Sequence, residues 1–155
     1  MGSFLKSIFH NGGVVFVGFV LAYVGSMLDG FFGFHTFSSF PFVFVGLVLL
    51  TIGFCIRLWA AYIFYQHNMR VIVLHPQRDL ITTGPYGFSR NPLYLGGNVF
   101  IFFGAALILG TPIGIILTLI TIFLTDRMIR REEKQLKKKF GEKWVRYQKH
   151  VRRWV

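Results

Sequence analysis

Four apolar stretches dominate the chain, and the polar residues between them mark where each one ends. The first, Val14 to Leu28, is preceded by Lys6 and followed by Asp29. The second runs from Pro41 to Tyr65 and is broken only by Arg57. From Pro92 to Thr125 no residue is charged, and Gly110-Thr111-Pro112 gives a strong turn signal near the middle. This pattern predicts a helical hairpin with arms over 93–109 and 112–126. A bilayer core takes about 20 helical residues, which the second stretch supplies. Each hairpin arm has only about 16 uncharged residues, so it must extend into the interface or sit in a thinned bilayer. A hairpin that does not cross is the alternative. The first stretch has the look of a signal peptide, but no small-x-small cleavage site follows it and further spans do, so it is expected to be retained.

The connecting segments are distinct in character. Gly30 to Phe40 holds five phenylalanines, a histidine and no Lys or Arg, which reads as a short interfacial loop. Gln66 to Asn91 is polar, with Arg70, Arg78 and Arg90, and Val71 to Leu74 suggests a short extended piece. After Asp126 the fourth helix continues out of the bilayer into a basic tail. There Leu136, Phe140, Trp144, Tyr147 and Val151 recur at helical spacing, with Gly141 expected to split the helix in two. Such a stripe predicts an amphipathic helix on an anionic interface, roofing the loop before Pro92. A solvated helix packing on its own protein is the alternative.

The expected fold is therefore all-α: a single domain, 1–155, forming a polytopic bundle of about four transmembrane helices (14–28, 41–65, 93–109 and 112–126) with a C-terminal amphipathic helix. Glycines seven residues apart, Gly18 and Gly25, Gly46 and Gly53, Gly97 and Gly104, lie on one face of their helices and predict close helix approach. Composition agrees: hydrophobic residues are 54% and aromatics 18% of the chain, too apolar for a soluble exterior. The lone cysteine, Cys55, excludes an internal disulfide and is expected to be a buried small hydrophobe.

Charge sets the orientation. Of 17 Lys and Arg, 12 fall between Arg127 and Arg153, so the net charge of +11 points to lipid headgroups rather than nucleic acid. Four crossings put both termini on one side, together with Lys6, the loop arginines and the tail. By the positive-inside rule that side is cytoplasmic.

Little in the chain resembles a soluble enzyme's machinery. No dinucleotide fingerprint, P-loop or nucleophile signature is present, and His10, His35, His67, His75 and His150 are too scattered for a metal site. Three features remain. The loop Gly84-Pro85-Tyr86-Gly87-Phe88-Ser89-Arg90-Asn91-Pro92-Leu93-Tyr94-Leu95-Gly96 is polar and cationic, with Pro92 suited to a helix's first turn; an ordinary loop entering a membrane helix is the alternative. Glu132 and Glu133 point about 100° apart on a helix, so one is free to bind a ligand amine or ribose while the other pairs with Arg90 or Arg131; a solvated pair is the alternative. Arg57 costs roughly 2.5–3.5 kcal/mol within a span, which implies a function or fixed partner unless it snorkels to the surface.

These residues, Gly84-x-Tyr86-x-x-x-Arg90-x-Pro92-x-Tyr94-x-Gly96, then Glu132-Glu133, Phe140-Gly141, Tyr147 and Arg153-Trp154, with Arg57-Leu58-x-Ala60 upstream, resemble the isoprenylcysteine carboxyl methyltransferase and phospholipid methyltransferase superfamily over about Phe54 to Trp154. The resemblance implies an integral membrane enzyme moving a methyl group from S-adenosylmethionine to a lipophilic acceptor. It further implies that Tyr86, Arg90, Asn91, Pro92, Tyr94, Gly96, Glu132 and Glu133 line the cofactor site, with Arg57 and Arg90 serving catalysis and Arg57 steering an acidic acceptor group. Two positions depart from the pattern: Asn91 replaces the usual histidine, and Arg78 stands where a histidine often precedes a pair matched here by Leu80-Ile81. Asparagine cannot take a proton near neutral pH, which excludes a general base there but not cofactor binding. A nicotinamide-dependent membrane reductase of related fold and a non-catalytic membrane scaffold are the competing readings.

Overall fold

The computed structural model describes residues 2–67 and 79–155. Arg70, His75, Arg78 and the apolar run Val71 to Leu74 lie outside these. Among the described residues the regular structure is all helical. Helices α1 (Gly2–Phe32) and α2 (Phe40–Gln66) are followed by a 3₁₀ turn at Gly84–Gly87. The third span is α3 (Pro92–Tyr94), a π-helical segment (Leu95–Phe102) and α4 (Phe103–Leu109), and then come α5 (Pro112–Phe140) and α6 (Glu142–His150). Four of the resulting helices are long and apolar enough to cross a membrane: Phe4–Phe32, Phe40–Gln66, Pro92–Leu109 and Pro112–Phe140. The first begins well before Val14, because nothing between Gly2 and Val14 breaks a helix except paired glycines that tertiary contacts override.

The helix ends follow local chemistry. Gly110 takes the left-handed conformation at φ 59°, ending α4, and Pro112 opens α5 in the first turn, where a missing N–H goes unneeded. Thr111 caps α5 by accepting from the Gly114 amide at 3.0 Å. Asp29, fully buried, accepts from the Thr111 hydroxyl and from the Ile113 amide at 3.0 Å. Its carboxylate thus lies against the positive end of the α5 dipole, tying α1 to α5. The Phe37 amide donates to the Gly110 carbonyl at 3.0 Å, so the 33–39 connection and the hairpin turn share one end of the bundle. The loop at 84–91 and the tail share the other.

The bundle is closed by small residues. A Cβ on Gly46 would meet the Gly104 carbonyl at 2.7 Å, and one on Gly53 would meet the Gly96 carbonyl at 2.5 Å. One on Gly25 would meet Gly114 Cα at 2.5 Å. Ala22, Ala105 and Ala106 fill the space between these contacts. Backbones approach this closely only where side chains are absent, as dispersion-driven packing in a bilayer requires. The outward faces carry Phe16, Phe44, Leu119 and Phe123, a surface suited to acyl chains. Cys55 lies on that outward face, against the expectation of burial. The reason is that a membrane helix is apolar on both its inner and its lipid face.

The C-terminal stripe also differs from expectation. Gly141, at φ 53°, separates α5 from α6. Trp144, Tyr147 and Val151 are buried against Leu80, Leu136 and Phe140 of the same chain. The stripe therefore covers the loop, with its apolar face turned inward to the protein.

Candidate functional site

The loop before the third span is built downward from its turns. Gly84 holds φ 62°, a conformation that L side chains rarely adopt, and a Cβ there would meet Ile63 at 2.5 Å. The 3₁₀ turn that follows drives the Tyr86 ring into a pocket of Ala60, Ile63, Phe64 and Ile81, 5.3 Å from the Phe64 ring. Pro92 then opens α3, and the Leu95 amide donates to the Asn91 carbonyl at 2.9 Å. Beyond Tyr94 the helix widens into the π segment, a distortion common at functional sites.

The acidic pair diverges, as adjacent positions on a helix must. Glu133 is 7% exposed and lies between two arginines. Oε1 accepts from Arg90 Nε at 3.0 Å, with Arg90 Nη2 at 2.9 Å, and Oε2 accepts from Arg153 Nη2 at 2.7 Å. Arg153 also reaches Asp126 at 3.3 Å, which pairs with Arg130 at 2.7 Å. Glu132, half-buried, turns toward the third span, where its Oε1 accepts from the Tyr94 hydroxyl at 3.0 Å. One carboxylate is thus locked in an ion-pair network and the other retains an oxygen for a ligand. Of the two arginines offered by the sequence, Arg90 and not Arg131 is the partner.

Arg90 and Asn91 also fasten the tail. Arg90 Nη1 donates to the Gln148 and Val151 carbonyls at 3.1 and 3.0 Å, and its backbone N–H to the Arg152 carbonyl at 2.9 Å. Asn91 Nδ2 donates to the Arg153 carbonyl at 3.2 Å, and Tyr147 donates its hydroxyl to the Tyr86 carbonyl at 2.7 Å. Burial raises the Tyr147 phenol above its ordinary range, so it stays a donor at neutral pH. Four of the five Arg90 guanidinium N–H groups are thereby engaged by protein.

Arg57 does not snorkel. It is 5% exposed and points into the bundle. Its Nε donates to Asn11 Oδ1 at 2.9 Å, Nη1 donates to the Leu93 carbonyl, and Nη2 lies 3.2 Å from His10 Nε2. Asn11 in turn donates to the Ser7 carbonyl at 2.8 Å. A Cβ on Gly96 would meet Arg57 Cγ at 2.7 Å, and one on Gly97 would meet Arg57 Nη1 at 2.7 Å. The bare side of Gly96 is thus turned to α2. Leu93, whose carbonyl accepts from Arg57, also packs against the cluster that holds Tyr86, which joins Arg57 to the loop.

Two sets therefore emerge: Arg57, Tyr86, Tyr94 and Glu132 around the third span, and Arg90, Asn91 and Glu133 beneath the tail. Sequence reasoning did not reach Ser7, His10 and Asn11, although polar residues three and four apart in an apolar helix were a usable signal. No group of metal-ligating side chains occurs among the described residues. No curated protein matches the chain. The family model for phospholipid methyltransferases, however, matches residues 41–143, about two thirds of the chain and inclusive of α2, the loop and the acidic pair. With four membrane-crossing helices gathered around those same residues, the chain belongs to the phospholipid methyltransferase family.

Proposed function

We propose that the protein transfers a methyl group from S-adenosylmethionine to a lipophilic acceptor at the cytoplasmic face of the membrane. The observation that carries this reading is the Tyr94–Glu132 hydrogen bond, which joins the loop to the acidic pair in a chain of this family. The residues present fit the cofactor: Glu132 keeps one oxygen for an ammonium or for ribose hydroxyls, and the buried Tyr86 hydroxyl is without a partner among the described residues. When bound, the cofactor's sulfonium supplies an activated methyl group.

The chain's own contribution is positional. Glu132 binds and Tyr94 orients it. Arg90, Asn91 and Glu133 are positioning residues that hold the loop against the tail, while Pro92 and Gly96 set the passage from loop to span. Helix α6 covers the loop and excludes water, leaving the lipid side for the acceptor. Because the acceptor reacts as an anion or neutral amine, no strong base is needed, consistent with asparagine at position 91.

The reductase reading is separated by titrating S-adenosylhomocysteine and NADPH into the purified protein in detergent. Saturable binding of the first and not the second is expected; binding of NADPH alone would overturn the assignment, and binding of neither would favour a scaffold. The orientation has its own test. In a Cys55→Ser background, a cysteine at Ser38 should react with an impermeant maleimide added outside cells and one at Lys149 should not. The reverse labelling would invert the topology.

A further inference from the structure

Of the 17 Lys and Arg residues, 12 lie between Arg127 and Arg153, and the fold sorts them by height above the bilayer. Measured from Pro112, a hydrocarbon core of about 30 Å takes about 20 residues of α5 and ends near Glu132. The third span gives the same level independently. It opens at Pro92, and Tyr94, in its first turn, donates to Glu132. Arg127 and Arg131, both exposed, therefore stand at the boundary of core and headgroups. Arg127 is anchored there, its guanidinium 4.5 Å from the centre of the exposed Phe123 ring.

Helix α5 then leaves the membrane, and α6 brings the chain back. The headgroup layer reaches only about 5–8 Å beyond the core on each side. Lys138 lies roughly 9 Å beyond Glu132 along α5, and Lys143 follows the break at Gly141. The return is fixed by hydrogen bonds. Arg90, bonded to Glu133, donates its side chain to the Gln148 and Val151 carbonyls and its backbone N–H to the Arg152 carbonyl. Arg153 reaches both Glu133 and Asp126. The exposed side chains of Lys149 and Arg152 thus start from the level of Glu133, back beside the headgroups. Within the tail, Arg130 and Arg153 have carboxylate partners among the described residues, whereas Arg127, Arg131, Lys149 and Arg152 have none.

We propose that Arg127, Arg131, Lys149 and Arg152 form a cationic collar that binds the phosphates of anionic lipid headgroups in the leaflet on the tail's side. Lys138 and Lys143 stand outside the headgroup layer and take no part. The apolar stripe of the tail is used within the protein, so the contact is electrostatic and needs no insertion of α6. Lys149 and Arg152 belong to the segment that Arg90 holds, so headgroups bound there add to the contacts that keep α6 over the loop. This inference rests on the fold and does not depend on the methyl-transfer reading.

The test uses the full chain in phosphatidylcholine vesicles that carry a trace of spin-labelled phosphatidylglycerol or spin-labelled phosphatidylcholine. Electron spin resonance reads the share of each label immobilised at the protein. At low salt the parent should prefer phosphatidylglycerol about fivefold or more, and near 1 M salt should bring it close to parity. Two variants remove the same charge from different heights. Arg131→Gln/Arg152→Gln should cut the preference at least about threefold, while Lys138→Gln/Lys143→Gln should leave it nearly unchanged. Arg131→Lys/Arg152→Lys, with the charges intact, should match the parent. If the first variant does not survive purification, Arg127→Gln/Lys149→Gln carries the same expectation. A parent without preference, equal losses from the two heights, or loss in the charge-keeping variant would each overturn the collar.

Discussion

Replacing Glu133 by glutamine will destabilise the protein more than any other single neutralisation of an acidic residue in the tail. Its carboxylate sits between Arg90 and Arg153, with the Arg90 side chain 7% and its own 9% exposed. Removing the charge leaves Arg90 without a carboxylate partner and Arg153 with Asp126 alone. Breaking a buried pair from one side costs about 3 kcal/mol or more, because the partner stays desolvated. For a chain of this size that is a fall of roughly 6–12 °C in melting temperature. The effect should be coupled to Arg90: the double variant Glu133→Gln/Arg90→Gln should lose clearly less than the sum of the singles. Additive losses would mean that the loop and tail are held by other contacts. Cofactor affinity should fall in Glu133→Gln only through loosening of the loop, and should recover partly at lower temperature.

Glu132→Gln should behave in the opposite manner. Glu132 is half-buried and bonded to a neutral phenol, so an amide can replace it with little effect on folding. Its proposed task is to accept hydrogen bonds from a cationic amine or from ribose. Charged hydrogen bonds of that kind contribute about 1.5–3 kcal/mol, which corresponds to roughly 10- to 150-fold in affinity. The expected result is a large loss of S-adenosylhomocysteine binding by calorimetry in a protein whose melting temperature stays within a few degrees of the parent. Binding within threefold of the parent would remove Glu132 from the site. The two glutamates would then separate by readout, one in stability and the other in affinity, as their divergent directions on α5 require.

Much of this architecture was legible in the sequence because membranes impose simple rules. Uncharged runs of sufficient length, the Gly110-Thr111-Pro112 turn and the Gly141 break each follow from backbone hydrogen bonding that must be satisfied locally. The divergence of Glu132 and Glu133 followed from helix geometry alone. What periodicity could not supply was inside and outside. Cys55 faces outward because a span is apolar all round, and the tail's apolar stripe meets the protein instead of lipid because both partners look alike to a sequence. The partners of Arg57 were hidden for a related reason: Ser7, His10 and Asn11 read as the polar entrance to a span until α1 is seen to continue through them. The π segment at Leu95–Phe102 was not legible in the sequence, since its run of Leu, Gly, Val, Ile and Phe is as apolar as the α-helical spans. It places the Leu93 carbonyl at the entry to a change of helical register, where Arg57 donates to it.

The division of labour in the site also bears on Asn91. Its side chain donates to a tail carbonyl, a task that needs a hydrogen-bond donor and no proton exchange. Under the proposed function, in which Arg90, Asn91 and Glu133 position the loop and Glu132 and Tyr94 bind, no base is needed at that position. The reaction would depend on orientation and on exclusion of water beneath α6.

The central claim is methyl transfer to a lipid, and one measurement addresses it directly. Membranes containing the parent protein, or Glu132→Gln at equal abundance, are incubated with S-adenosylmethionine labelled in its methyl group, and the lipid extract is followed over time. The account predicts label accumulating in a lipid species with the parent and at least 10-fold less with Glu132→Gln. Equal labelling by the two proteins, or label in no lipid with either, would contradict it.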